Sequence, residues 1–179
     1  MRSDAVIGFE AVTSAHYPLL RRWLNLPHRR EWWGDPETEL GYIVDMVEGR
    51  DDTRPFIFSV DGEAAGYIQY WHVAPHQTET WSKDDPWLME LPASAIGIDL
   101  SIGEAERLSQ GLGTRALCAF MGRLRGKGFR DIIIDPAPEN GRAVSAYGKA
   151  GFVPVLHLAG RTPGVLIMQY VPHSKDPVQ

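Results

Sequence analysis

Residues 107–120 read RLSQGLGTRALCAF, with two glycines one residue apart, Gly111 and Gly113, at the head of an apolar stripe. Leu112, Ala116, Leu117, Phe120 and Leu124 recur at helical spacing, so a helix begins at the glycine pair. Just upstream, ASAIGIDLSI (93–102) reads as a buried strand. A helix start leaves main-chain N–H groups unpaired and carries a partial positive charge, and glycines ahead of it let a phosphate reach the backbone without meeting a Cβ. Strand, glycine loop and helix in this order thus suit a pyrophosphate cradle; for the glycines alone, a plain turn before a helix is the alternative. No Gly-Lys-Ser/Thr follows and no third glycine completes G-x-G-x-x-G, so neither the Walker loop nor the dinucleotide fingerprint is present.

Working outward, AVIGFEAVT (5–13) reads as a strand, and SAHYPLLRRWLN (14–25) as a helix with Ser14 as N-cap and Leu20, Trp23 and Leu24 on one side. From Pro36 a second helix carries Leu40, Ile43, Val44 and Val47, with Gly49 as its stop. RPFIFSV, then Asp61-Gly62, then EAAGYIQYWHV predicts a hairpin closed by a type I′ turn. Residues 74–92 contain three prolines and no sustained period, which predicts an unusually long loop. Beyond the central helix, RDIIIDP is a buried strand, ENGRAVSAYGKAG a helix ended by Gly151, and FVPVLHL with GVLIMQYV a closing hairpin. The order β α α β β β α β α β β mixes hairpins with strand-helix alternation and therefore implies a mixed sheet in an α/β (α+β) fold.

A chain of 179 residues is expected to form one domain, residues 1–173, followed by a flexible tail at 174–179. A net charge of −5 supplies no basic face for nucleic acid and suits a cationic small molecule better. No run of about 18 apolar residues occurs, and the N-terminal stretch lacks a signal-type apolar core, so no membrane partner is expected and the location is read as cytoplasmic. Cys118 is the single cysteine, which excludes an intrachain disulfide. His28, His72, His76 and His157 form neither an HExxH motif nor a paired helical ligand set, so no metal is expected.

DPAPENGRAVSAYGKAGF (135–152) puts Asn140 at a helix start, Tyr147 two turns on and Ala150-Gly151-Phe152 at its end. With QGLGT, this segment resembles the Gcn5-related N-acetyltransferase (GNAT) superfamily. In that superfamily the acetyl-coenzyme A pyrophosphate rests on the loop before one helix, and an Asn…Tyr-x-x-x-Gly-Phe segment follows one strand later. HRREWWGD (28–35), GYIQY (66–70), GID (97–99) and GLGT (111–114) resemble, in order, the aminoglycoside 6′-N-acetyltransferase branch. The resemblance implies a mostly antiparallel central sheet flanked by helices and split around a cofactor cleft, with acetyl-CoA as donor. It carries cofactor binding to Leu100, Ser101, Ile102, Gln110, Gly111, Leu112, Gly113, Thr114, Asn140, Ala143, Tyr147 and Lys149. Leu108 departs from the superfamily's general pattern, in which Arg or Gln opens the phosphate motif; main-chain N–H groups can do the holding.

Amine acetylation sets chemical demands of its own. An alkylammonium ion has no lone pair, so a base must take a proton near neutral pH. Asp99, a carboxylate between Ile98 and Leu100 in an apolar strand, is the candidate, with a solvent-facing strand-edge residue as the alternative. The resemblance puts the general base at the same position. A main-chain N–H near Leu100 would meet the oxyanion, and the Tyr147 hydroxyl would meet the departing thiolate, unless Tyr147 is simply a core aromatic. Cys118 lies beside the apolar stripe of its helix, so direct transfer in a ternary complex is expected rather than a covalent enzyme intermediate.

For the acceptor, Glu79, Asp84, Asp85, Glu90 and Glu139 are candidates for an acidic wall, with a solvated loop as the alternative for each. The resemblance assigns Asp135 to the acceptor's amino groups and adds Trp33, Tyr42, Gln69 and Trp81, with Asp99, as pocket residues. The expected partner is a small-molecule amine, an aminoglycoside first and otherwise a siderophore precursor, a polyamine or a peptide N-terminus. A non-catalytic acyl-CoA sensor is the remaining alternative, and the assembly is expected to be a monomer or a homodimer.

Overall fold

The computed structural model describes residues 5–172; the expected tail at 174–179 lies outside them. Its seven strands form one sheet in the order β1-β2-β3-β4-β5-β7-β6. They are β1 (Ile7–Ala11), β2 (Arg54–Val60), β3 (Glu63–His72), β4 (Ile96–Ile102), β5 (Ile132–Ile134), β6 (Phe152–Pro154) and β7 (Met168–Tyr170). Six α-helices accompany them: α1 (Tyr17–Leu24), α2 (Pro27–Trp33), α3 (Pro36–Val47), α4 (Glu79–Asp84), α5 (Leu112–Gly126) and α6 (Gly141–Lys149). β4 and β5 run parallel, whereas the β1-β2, β2-β3, β5-β7 and β6-β7 pairs are antiparallel. The mixed, mostly antiparallel sheet expected from the sequence is what forms.

The chain divides into two compact units, each of discontinuous segments: one runs to Tyr70 and takes in Leu100–Gly113, the other holds Trp71–Asp99 and everything from Thr114. In the first unit, the predicted hairpin turn is present, with Asp61 and Gly62 at φ of 51° and 85°. β1 adds to the hairpin in a register that sets Phe9 opposite Phe58. Leu20, Trp23 and Leu24 of α1 and Leu40 and Ile43 of α3 bury against Ile57 and Tyr67. That core holds the two helices; the exposed Arg21–Glu37 pair, at 3.1 Å, adds at most about 1 kcal/mol. Asp35 caps α3 by accepting from the Thr38 N–H at 2.9 Å, and this bond keeps its carboxyl below the usual carboxylate range.

In the second unit, β4 and β5 bury Ile96, Ile98 and Ile132–Ile134. α5 buries Ala116, Leu117, Phe120, Met121 and Leu124, largely the stripe anticipated from its spacing. Around β5, Val73, Trp87, Leu88, Ala95, Leu158 and Ile167 make a second cluster.

Four local expectations need correction. Ser14 is not the cap of α1: Ser14–His16 form a 3-10 turn, and the Thr13 N–H donates to His16 Nδ1 at 3.0 Å. Helix α2, PHRREWW, escaped the sequence pattern because its buried residue is Arg29 rather than an apolar stripe. Residues 74–92 are not a plain loop. They contain α4 and two 3-10 turns, bury Trp87 and Leu88, and are pinned by Gln77, whose side-chain amide donates to the Leu88 and Leu91 carbonyls at 2.8 Å each. FVPVLHL is extended only through Pro154, since Leu156–Leu158 turn into a 3-10 helix that buries Leu158.

Candidate active site

Parallel pairing between β4 and β5 joins Ile96 to Ile132 and Gly97 to Ile133 and goes no further. Asp99 lies two residues beyond the last paired position of β4, and Asp135, the residue immediately after β5, two beyond that of β5. Both carboxylates are half-buried. Burial pushes the Asp135 carboxyl well above the usual carboxylate range, and the charges of Asp99 and, more weakly, Asp85 push it further. Tyr147 on α6 is buried, and burial together with the charges of Asp99 and Asp135 drives its hydroxyl far above an ordinary tyrosine. The structure therefore brings Asp99, Asp135 and Tyr147 into one electrostatic group.

Asn140 opens α6 as its N-cap, its side-chain oxygen accepting from the Ala143 N–H at 3.1 Å. These two expected cofactor residues thus satisfy one another locally. Thr114 donates its hydroxyl to the Ala146 carbonyl at 3.1 Å, tying the first turn of α5 to α6. Lys149, in the last turn of α6, is exposed.

In the first unit, Ser109 and Gly111 take φ of 58° and 74°, a left-handed kink directly before α5. Gly111 is exposed, and a Cβ built on it would meet nothing within 4 Å. The kink thus opens onto free space at a helix start, the arrangement a pyrophosphate group needs. Leu112 is buried, and Gln110 turns its side chain back to donate to the Glu106 carbonyl. At the end of β4, Ser101 is buried and its hydroxyl reaches the Ile102 carbonyl at 3.3 Å. The same carbonyl also accepts from His28 Nε2 at 3.1 Å, so it is already engaged by protein groups.

The expected acceptor residues fall in both units. Trp33, at the end of α2, is half-buried beneath the Arg29 guanidinium, 3.7 Å from its ring, and stands edge-on to Tyr67 at 5.9 Å. Gln69 accepts from the Tyr67 hydroxyl through Oε1. Tyr42 on α3 is exposed and no ring contact accompanies it among the described residues. In the second unit, Trp81 on α4 is exposed and rests against His76.

Residues 12–159 match the acetyltransferase (GNAT) domain family. The chain belongs to that family. It is 32% identical over 162 residues to the aminoglycoside N(6′)-acetyltransferase type 1 of Klebsiella pneumoniae, covering 84% of this chain and 75% of the relative. A solved structure of the aminoglycoside acetyltransferase AAC(6′)-Ib with coenzyme A superimposes with a TM-score of 0.75 at 30% identity, over 93% of this chain and 95% of that one. The AAC(6′)-Ib complex with paromomycin and acetyl-CoA gives the same TM-score at 29% identity, over 92% and 93%. As a GNAT acetyltransferase, the chain carries the fold class expected from its glycine loop and its Asn…Tyr segment.

Residues that sequence reasoning passed over also sit in this GNAT domain. Arg29 is buried in the first unit against two aromatic rings. Gly97 and Trp71 are in the second: a Cβ on Gly97 would lie 2.1 Å from Trp71 Cε2. The glycine of GID therefore makes room for an indole. A glycine in the interior of a buried strand is the signal that marks such a close approach. Among the described residues, no three His, Cys, Asp or Glu side chains gather as a metal site, and no helix is long and apolar enough to cross a membrane.

Proposed function

We propose that this GNAT acetyltransferase moves an acetyl group from acetyl-CoA to the 6′-amine of an aminoglycoside by direct transfer. The observation that carries the reading is the electrostatic group of Asp99, Asp135 and Tyr147 on β4, after β5 and on α6. The relatives and solved structures named above, aminoglycoside acetyltransferases in complexes that include acetyl-CoA and paromomycin, support the choice of donor and acceptor.

Asp99 takes the proton from the acceptor ammonium, freeing the lone pair that attacks. Asp135, beside it, offers a second carboxylate to a polycation, and an incoming ammonium offsets the Asp99 repulsion that favours its protonated form. Tyr147 stays protonated, because its hydroxyl is pushed far above the ordinary range of about 10, while a thiol titrates near about 8.5. Its role is then to donate a hydrogen bond to the departing sulfur rather than to surrender its proton. Acetyl-CoA supplies the activated acyl group, and the residues that would hold it are the 109–114 kink with the start of α5, the end of β4 at Leu100–Ile102, and Asn140, Ala143, Tyr147 and Lys149 near or on α6. Trp33, Tyr42, Gln69 and Trp81 are the further residues that the family resemblance assigns to the acceptor.

The test is thiol release from acetyl-CoA over a panel of kanamycin, a polyamine and a hydroxamate-precursor amine. The expected outcome is the highest kcat/KM for kanamycin; preference for an amine that is not a sugar overturns the acceptor, and thiol release with none of them overturns the enzyme reading.

A further inference from the structure

Between β3 and β4 an exposed tryptophan is mounted on a histidine. Trp81 of α4 is 48% exposed, and its ring meets His76 at 4.9 Å between centroids, with the planes at 68°. His76 meets Trp71 in turn at 5.1 Å and 72°. The His76 Nδ1–H donates to the His72 carbonyl at 3.0 Å, which fixes both the tautomer and the rotation of the ring. Trp71 is itself seated over Gly97, leaving no room for a Cβ there. An unbroken line of contact thus runs from Gly97, two residues before Asp99, through Trp71 and His76 to an indole that faces solvent.

A second observation ties this segment to the acidic pair. Asp85, the residue after α4, acts electrostatically on Asp135. Its carboxylate also accepts from Trp87 Nε1 at 3.0 Å, and Trp87 is buried in the core of the same unit. The segment that carries Trp81 is therefore anchored at both ends, by the His76 ring and by Trp87, and its Asp85 lies within electrostatic reach of Asp135. An amino sugar presents C–H edges and ammonium groups, and both are attracted to an indole face.

We infer that His76 is a positioning residue for acceptor binding: its imidazole, held on the His72 carbonyl and packed on Trp71, orients the Trp81 indole against the amino sugar. This rests on the aminoglycoside reading above.

Steady-state thiol release with acetyl-CoA and kanamycin tests it, using wild type, His76→Ala, His76→Phe, Trp81→Ala and the His76→Ala/Trp81→Ala double variant. His76→Ala is expected to raise the kanamycin KM about tenfold while kcat and the acetyl-CoA KM stay within about twofold. Trp81→Ala produces the same rise and the double variant no more, because one residue acts through the other. His76→Phe, which keeps an aromatic edge between the two indoles, recovers most of the loss. In protein labelled with 5-fluorotryptophan, the Trp81 fluorine resonance, assigned by its disappearance in Trp81→Phe, moves in His76→Ala. An unchanged kanamycin KM in His76→Ala, a double-variant loss equal to the product of the single losses, or an unmoved Trp81 resonance overturns this inference alone. A wild-type enzyme that releases no thiol with kanamycin overturns the acceptor reading and this inference together.

Discussion

Asp99 and Asp135 each lie two residues beyond the last pair joining the parallel strands β4 and β5, and the charge of Asp99 adds to the burial that raises the Asp135 carboxyl above the usual range. A carboxyl raised by folding favours the folded state only while it is protonated. Its contribution is intact below the unfolded value of about 3.9 and is lost as pH climbs through the folded value. Asp135→Asn cannot ionise and escapes that loss. Melting curves from pH 4 to 8 should therefore show the variant gaining on wild type as pH rises, by on the order of a few degrees. A difference independent of pH would mean that Asp135 folds into a site that does not resist its charge.

Asp99→Asn keeps the side chain's shape and removes the carboxylate proposed as the base. Loss of a positioned general base lowers turnover about 10²–10⁴-fold, so kcat with kanamycin at neutral pH should fall into that range while the acetyl-CoA KM stays within about twofold. The same substitution removes the charge that acts on both Asp135 and Tyr147. The Asp135 carboxyl should then titrate lower, and carboxyl resonances followed by NMR against pH would report it independently of turnover.

Two glycines of the loop have different duties. Gly111 holds φ of 74°, where any Cβ is strained, whereas a Cβ on Gly113 would meet Leu100 Cδ2 at 3.6 Å and Ile102 Cδ1 at 3.9 Å, both ordinary contacts. Gly111→Ala should cost about 1 kcal/mol of stability in urea unfolding. Gly113→Ala should cost nothing, because it also improves helix propensity in the first turn of α5. If the 109–114 kink cradles a pyrophosphate, Gly111→Ala should raise the acetyl-CoA KM more than Gly113→Ala does. The opposite ranking would put the phosphate contact at Gly113.

What could be read beforehand followed from local chemistry. The hairpin was legible because Asp61-Gly62 accepts positive φ, and Asp99 stands out as a candidate because a carboxylate within IGIDLSI is costly unless it is used. Asp135 and Trp33 came from family resemblance, since neither has a local pattern that sets it apart. The structure adds what pairs far apart in the chain decide: Arg29 lies over the Tyr67 ring at 5.8 Å, and Asp85 reaches the field of Asp135 across 50 residues of sequence. Helix α2 was invisible to apolar spacing because an arginine supplies its buried position. His76 carries no motif, and only its rings on either side give it a role.

The hydroxyl of Tyr147 offers the sharpest check on the protonation scheme. Burial and the charges of Asp99 and Asp135 all act in one direction, raising it, so the phenol is expected to remain a donor at neutral pH. Tyr147→Phe should lower kcat about tenfold or more, the effect of losing one hydrogen bond to a developing thiolate, with kanamycin KM little changed. The basic side of the pH profile decides between donation and proton transfer. If Tyr147 only donates, wild type and Tyr147→Phe keep parallel profiles up to pH 10, offset by a constant factor. A basic limb that falls in wild type and vanishes in Tyr147→Phe would show the phenol ionising in that range and would make it a true acid.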